Sequence, residues 1–190
     1  MRLRVELIPL AFGTLLLVGC AEEPTPRPRG YFRIDLPEPS YVSWADSSVM
    51  AAEIPAAARV QRRQREGAAK WYDVRYSALR ATVHLTWTPV DGALGELIEG
   101  AHVFKQTHES KAARIGSERV LRSEERVFGT LFKVEGDVAS PFVFYLTDST
   151  DNFLYGALYF DVRPNADSLA PVTERIRADM QHLATTLRWQ

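Results

Sequence analysis

FVFYLTDSTDNFLYGALYFDVRPNADSLAPVTERIRADMQHLATTLR occupies residues 142–188. Its first five residues are apolar at every position, which suits a strand buried on both faces inside a sheet. Residues 147–152, TDSTDN, carry turn chemistry. They predict a hairpin joining strand Phe142–Thr147 to strand Phe153–Val162. Beyond Pro164 the period changes. Leu169, Val172, Ile176, Met180, Leu183 and Leu187 recur at steps of three or four, which makes one apolar stripe on a helix of about Leu169 to Arg188. Ser168 or Asp167 is the expected cap, with Pro171 in the first turn, where a missing N–H costs little.

The upstream chain extends this pattern. Arg126–Val134 reads as a further strand. Val83, Leu85 and Trp87 alternate with Thr82, His84, Thr86 and Thr88, so residues 81–88 read as a half-buried strand of β-branched and aromatic residues. Asp91-Gly92 marks a turn. Leu94, Leu97, Ile98, Ala101 and Phe104 then follow at helical spacing, with Asp91 the expected cap. Tyr41–Trp44 and Trp71–Tyr76 are strand-like. Phe32, Ile34 and Leu36 alternate with Tyr31, Arg33 and Asp35 before Pro37, again the pattern of a strand. The predicted class is α+β, a mainly antiparallel sheet flanked by two amphipathic helices. The order of elements resembles the α/β/α sandwich of the PsbP and Mog1 proteins, a likeness that bears on fold and not on activity.

The first twenty residues are of a different kind. Arg2 and Arg4 precede an uncharged apolar run from Leu7 to Val18. A permanent span needs about 20 apolar residues, so this shorter run reads as a secretory signal. It ends in Leu17-Val18-Gly19-Cys20, which resembles a bacterial lipobox; Cys20 is the only cysteine. The resemblance implies cleavage after Gly19 and lipid on Cys20. More than one acyl chain anchors stably, at about 0.8 kcal/mol per buried CH₂. Residues 20–30 then form a lipidated tether with three prolines, reaching roughly 30 Å at about 3.1 Å per residue. Residues 31–190 form a single domain. With its one cysteine lipidated, that domain has no disulfide, thiol metal site or thiol nucleophile.

Removal of residues 1–19 takes Arg2, Arg4 and Glu6 and leaves 21 basic and 23 acidic side chains. That balance disfavours nucleic acid as a partner. His84, His102, His108 and His182 show no paired ligand spacing, and His102 and His108 fall about 240° apart around a helix. Ser140-Pro141 lacks the nucleophile-elbow context. Asp148, Asp151, Asp161 and Asp167 read as turn and capping residues before they read as a carboxylate cluster. The sequence therefore predicts neither a catalytic set nor a metal or cofactor site.

Two long segments carry a family resemblance. RPRGYFRIDLP (27–37) and LTDSTDNFLYGALYFDVRPNADSLAPV (146–172), together with the lipobox, resemble the gliding-motility lipoprotein GldD of the Bacteroidetes. The likeness runs more loosely through 81–108 and is weakest over 40–80. Family members often carry cysteines in the part matching 45–75; none stands here, so no disulfide is carried over. The resemblance implies a non-enzymatic envelope component of the gliding and type IX secretion machinery, palmitoylated or similarly acylated. Its domain would lie in the periplasm, with the membrane, inner or outer, left open. Its partners would be other gliding or secretion lipoproteins, or envelope proteins.

Three patches are candidate contacts. Arg29, Tyr31 and Arg33 could add a strand to a partner sheet or bind beside the membrane, or their segment could close the domain's own sheet. Arg163 and Asn165 could meet a partner, or Arg163 could pair with Asp167 or Asp35. Arg59, Arg62, Arg63 and Arg65 could touch anionic lipid, or lie on a solvated hairpin. An alternative function is binding of a small molecule or peptidoglycan, or weak hydrolysis, with Trp44, Trp71, Trp87 and Tyr155 as a sugar-stacking groove. The competing expectation is that these rings fill the core.

Overall fold

A computed structural model describes residue 36, residues 38–109 and residues 112–190, with the backbone alone for 104–109. The leader, Cys20, the tether and the strand expected over 31–36 lie outside the described residues, apart from Leu36.

The architecture is α+β. The larger sheet has seven strands, all paired antiparallel. In spatial order they are β3 (Arg59–Arg63), β4 (Lys70–Tyr76), β5 (Ala81–Pro89), β9 (Asn152–Phe160), β8 (Phe142–Thr147), β7 (Val127–Glu135) and β6 (Arg114–Arg122). A smaller sheet joins β1 (Tyr41–Asp46), β2 (Met50–Pro55) and the two-residue β10 (Arg188–Trp189). Helix α1 spans Leu94–Glu109 and helix α2 spans Ala166–Thr186.

Alternation along β9 sends successive side chains to opposite faces. Leu154 and Leu158 join the main core with Ile176, Met180 and Leu183 of α2. Phe153 instead joins Val90 and Ala101, against which Leu97 and Ile98 of α1 pack. The two helices therefore cover opposite faces. β8 is apolar on both because it lies inside the sheet: Phe144 and Leu146 face the α2 core, while Tyr145 packs on the α1 side. The stripe expected on α2 is buried from Val172 to Leu187. Each such side chain contributes about 1.5–3 kcal/mol of hydrophobic free energy.

Several expectations are corrected. Asn165, not Ser168 or Asp167, caps α2: the Ser168 backbone N–H donates to its Oδ1 at 3.1 Å. A second free N–H, that of Ala166, donates to Asp137 Oδ1 at 2.8 Å. These two acceptors start the helix three residues early, so Pro171 falls inside it, beyond the first turn. Asp91 is not the cap of α1. It sits at φ 42° in a turn with Gly92 at φ 80°, closed by the Ala93 N–H on the Val90 carbonyl at 2.7 Å. Strands β2, β6 and the two-residue β10 are additional to those expected, and β3 is anticipated only as part of a solvated hairpin.

Close packing dictates two glycines. A Cβ at Gly129 would strike the Tyr145 carbonyl oxygen on the neighbouring strand, and one at Gly156 would strike the buried Phe144 ring.

Candidate functional site

Two surfaces gather polar or apolar groups in a way the core does not require. The first lies beside the N-terminus of α2. Val138, Pro141, Phe160, Val162, Pro164 and Leu169 wall a mainly apolar groove of about 460 Å³. Its rim is charged. Lys133 Nζ stands 2.6 Å from Glu174 and 3.3 Å from Glu135. The Glu174 hydrogen bond, helped by Glu135, raises the Lys133 ammonium pKa. Burial works against ionisation of Glu174, but hydrogen bonds from Lys133 and Arg177 prevail and hold it below the usual range. Asn165 lines the groove while serving as the helix cap. Arg163, exposed on the adjoining loop, makes no ion pair among the described residues. Arg29, Tyr31 and Arg33 lie outside the described residues.

The second surface is on the α1 side of the larger sheet, where β3, β4 and β5 run past one another. Register places Asp73 of β4 opposite His84 of β5, and both point away from the main core. Asp73 is only 2 % exposed. Arg63 reaches its Oδ2 through Nε at 2.7 Å and Nη2 at 2.6 Å; Arg75 Nη2 reaches the same oxygen at 3.3 Å. His84 Nδ1 lies 2.7 Å from Oδ1. Burial alone would raise this carboxyl, but the Arg63 and His84 hydrogen bonds and charges hold it ionised below its ordinary value. Next to it, Arg63, Arg75, Arg80, Ser77, Thr82 and His84 border an open cleft of about 460 Å³. The Tyr159 ring lies 5.6 Å from that of His84.

The arginines at 59–65 do lie on a hairpin, β3–β4, and three of the four are engaged. Arg62 pairs with Asp46 at 3.4 Å, Arg63 with Asp73, and Arg65 stacks over Trp71 at 5.4 Å. The four rings weighed as a stacking groove divide between surfaces. Trp44 and Trp87 pack on the main core, Tyr155 on the α1 cluster, and Trp71 under Arg65.

His182, His102 and Asp148 have structural partners. His182 Nε2 lies 2.6 Å from Glu53 and its ring stacks on Tyr41. His102 sits edge-on to Phe132 and Tyr145. Asp148 accepts the backbone N–H groups of Thr150, Asp151 and Asn152 in the β8–β9 turn. Burial opposes this charge, yet the bonds from Asn152, Thr150 and Asp151 pull the carboxyl down to about 2. Among the described residues no three His, Cys, Asp or Glu side chains gather as a metal ion would need. Nor is any described helix long and apolar enough to cross a membrane.

The family model of the gliding motility lipoprotein GldD matches residues 21–189. The chain belongs to the GldD family. Membership makes it a gliding motility lipoprotein and implies attachment to an envelope membrane. No curated protein matches the chain. Sequence reasoning anticipated this family from residues 27–37 and 146–172, but it missed the Asp73 cluster. The only hint of it was one carboxylate in KWYDVRY and one histidine in ATVHLTW, each on the polar side of a strand.

Proposed function

We propose that residues 1–19 direct export and are removed, that Cys20 is acylated, and that residues 20–30 tether a single domain, 31–190, in the periplasm. In this reading the protein is a non-enzymatic part of the gliding and type IX secretion machinery, acting through protein–protein contacts with other envelope lipoproteins. The family match over almost the whole chain after Cys20 carries the reading. The contacts we assign are Arg163 and Asn165, beside the apolar groove at the start of α2, with Arg29, Tyr31 and Arg33 near the tether. Arg163 suits this role because it is exposed between Val162 and Pro164, which wall the groove, without a carboxylate of its own among the described residues. A sandwich of the PsbP/Mog1 kind is the architectural analogue we favour, supported by one helix on each face of the larger sheet.

The test is affinity purification from envelope fractions, comparing the wild type with Cys20→Ser and Arg163→Glu. Wild type is expected to retain motility or secretion components. Cys20→Ser should leave the membrane fraction, and Arg163→Glu should stay there but lose partners. Retention of no such component by the wild type would overturn the reading.

A further inference from the structure

We infer that the cleft where β3, β4 and β5 meet the β4–β5 turn binds a phosphate group. This inference stands on the cleft alone and is independent of the motility reading.

Asp73 organises the cations of the cleft. Its carboxylate satisfies three cationic or potentially cationic groups at once, yet it does not exhaust them. Arg75 spends one Nη on it at 3.3 Å and keeps Nε and the other Nη. Arg63 spends Nε and Nη2 and keeps Nη1. His84 spends Nδ1 and keeps Nε2. The side chains around the Asp73 oxygens are thus held in place before any ligand arrives, which lowers the ordering cost of binding. A guanidinium carries five N–H donors in a fixed fork.

Charge points the same way. Arg63, Arg75 and Arg80 border the cleft against two carboxylates, Asp73 and Asp161. Asp73 is buried beneath the cluster. The Asp161 backbone carbonyl already accepts from Arg80 Nη2 at 2.9 Å. The excess is positive. Thr82 and Ser77 add hydroxyl donors at the border. Donors arrive from β3, β4, β5 and the turn between β4 and β5, that is, from several directions. This arrangement matches the tetrahedral oxygens of a phosphate better than a planar carboxylate, and arginine forks bind phosphate oxygens in pairs. The cleft is open and its cations are half exposed, so the site suits a phosphate carried on a larger molecule. That group is either a lipid headgroup or a soluble phosphate ester.

The experiment uses the full chain carrying Cys20→Ser, titrated with inorganic phosphate at fixed pH and ionic strength. Ring resonances of His84, His102 and His182 are followed by NMR. A saturable shift of His84, with His102 and His182 unmoved, is expected. Arg75→Gln, at a half-exposed side chain, should weaken the phosphate affinity by about tenfold, the loss of one charge-assisted hydrogen bond. Thr82→Val is a second variant, expected to weaken it less. Arg119→Gln, exposed on β6 at the opposite edge of the sheet, should leave it unchanged. Two further arms separate the sources. Arg75-dependent sedimentation with vesicles of phosphatidylglycerol in phosphatidylcholine assigns a lipid headgroup. Arg75-dependent binding of glycerol phosphate without such sedimentation assigns a soluble ester. Absence of a saturable His84 shift, or an identical titration in Arg75→Gln and Thr82→Val, overturns the inference.

Discussion

Replacing Asp73 with alanine removes the one carboxylate that holds Arg63, Arg75 and His84 together on the β3–β4–β5 face. The carboxylate is 2 % exposed, whereas its partners are 39 %, 52 % and 40 % exposed. A hydrogen bond to a charged group contributes about 1.5–3 kcal/mol when fully desolvated. Half-exposed partners recover water when the bond is lost, so each is discounted toward the ~0.5–1 kcal/mol of surface pairs. The expected loss is about 2–3 kcal/mol. Asp73→Asn, which keeps one acceptor but turns an amide toward the guanidinium groups, should lose about half as much. Urea unfolding followed by circular dichroism would read this as a fall in midpoint at constant slope. The pH dependence supplies a second signature. The folded carboxyl lies below its ordinary value, so its contribution is complete above the unfolded value near 4. It disappears as pH falls through the lower folded value, and the stabilities of wild type and Asp73→Ala should converge there. A loss under ~0.5 kcal/mol at pH 7, or a gap that persists in acid, would refute the reasoning.

Other consequences are equally open to measurement. Gly129→Ala forces a Cβ onto the Tyr145 carbonyl, which cannot yield without breaking the β7–β8 ladder. Gly156→Ala meets the Phe144 ring, which can shift. Gly156→Ala should cost the ~1–3 kcal/mol of overpacking and Gly129→Ala more, measured by the same urea titration. Asn165→Ala should cost about 1 kcal/mol and Asn165→Gly only a few tenths, since a capping oxygen is lost from α2. Asp148, with its carboxyl held at about 2, stabilises above the ordinary carboxylate range and loses that contribution as pH falls toward 2. Asp148→Ala should therefore have a smaller fall in stability between pH 5 and pH 2 than the wild type.

The hairpin β8–β9 and helix α2 were legible from the pattern of their apolar residues, nearly every position in the two strands that flank TDSTDN and steps of three or four along the helix. Helix α1 and strands β1, β4, β5 and β7 followed from the same signal, with bounds shifted by a few residues. β6 was not legible: RIGSERVLR is an edge strand with polar residues on both faces, so no alternation marks it. β2, MAAEIP, is short and alanine-rich, and its burial depends on α2 and on the chain end pairing with it. The cap of α2 was misplaced because Asn165, Asp167 and Ser168 all have capping chemistry, and only the backbone at Asn165 takes the extended geometry a cap needs. The Asp73–His84 pair lay beyond sequence reasoning for a different reason. It depends on the β4–β5 register, which one residue of slip would abolish.

The most direct test of the account is mass spectrometry of the N-terminal peptide from the protein purified out of the membrane fraction. The expected result is a chain beginning at Cys20 whose sulfur carries diacylglycerol and whose amine is acylated. An unmodified thiol at that position, or a leader still joined to it, would contradict the anchoring on which the proposed role depends.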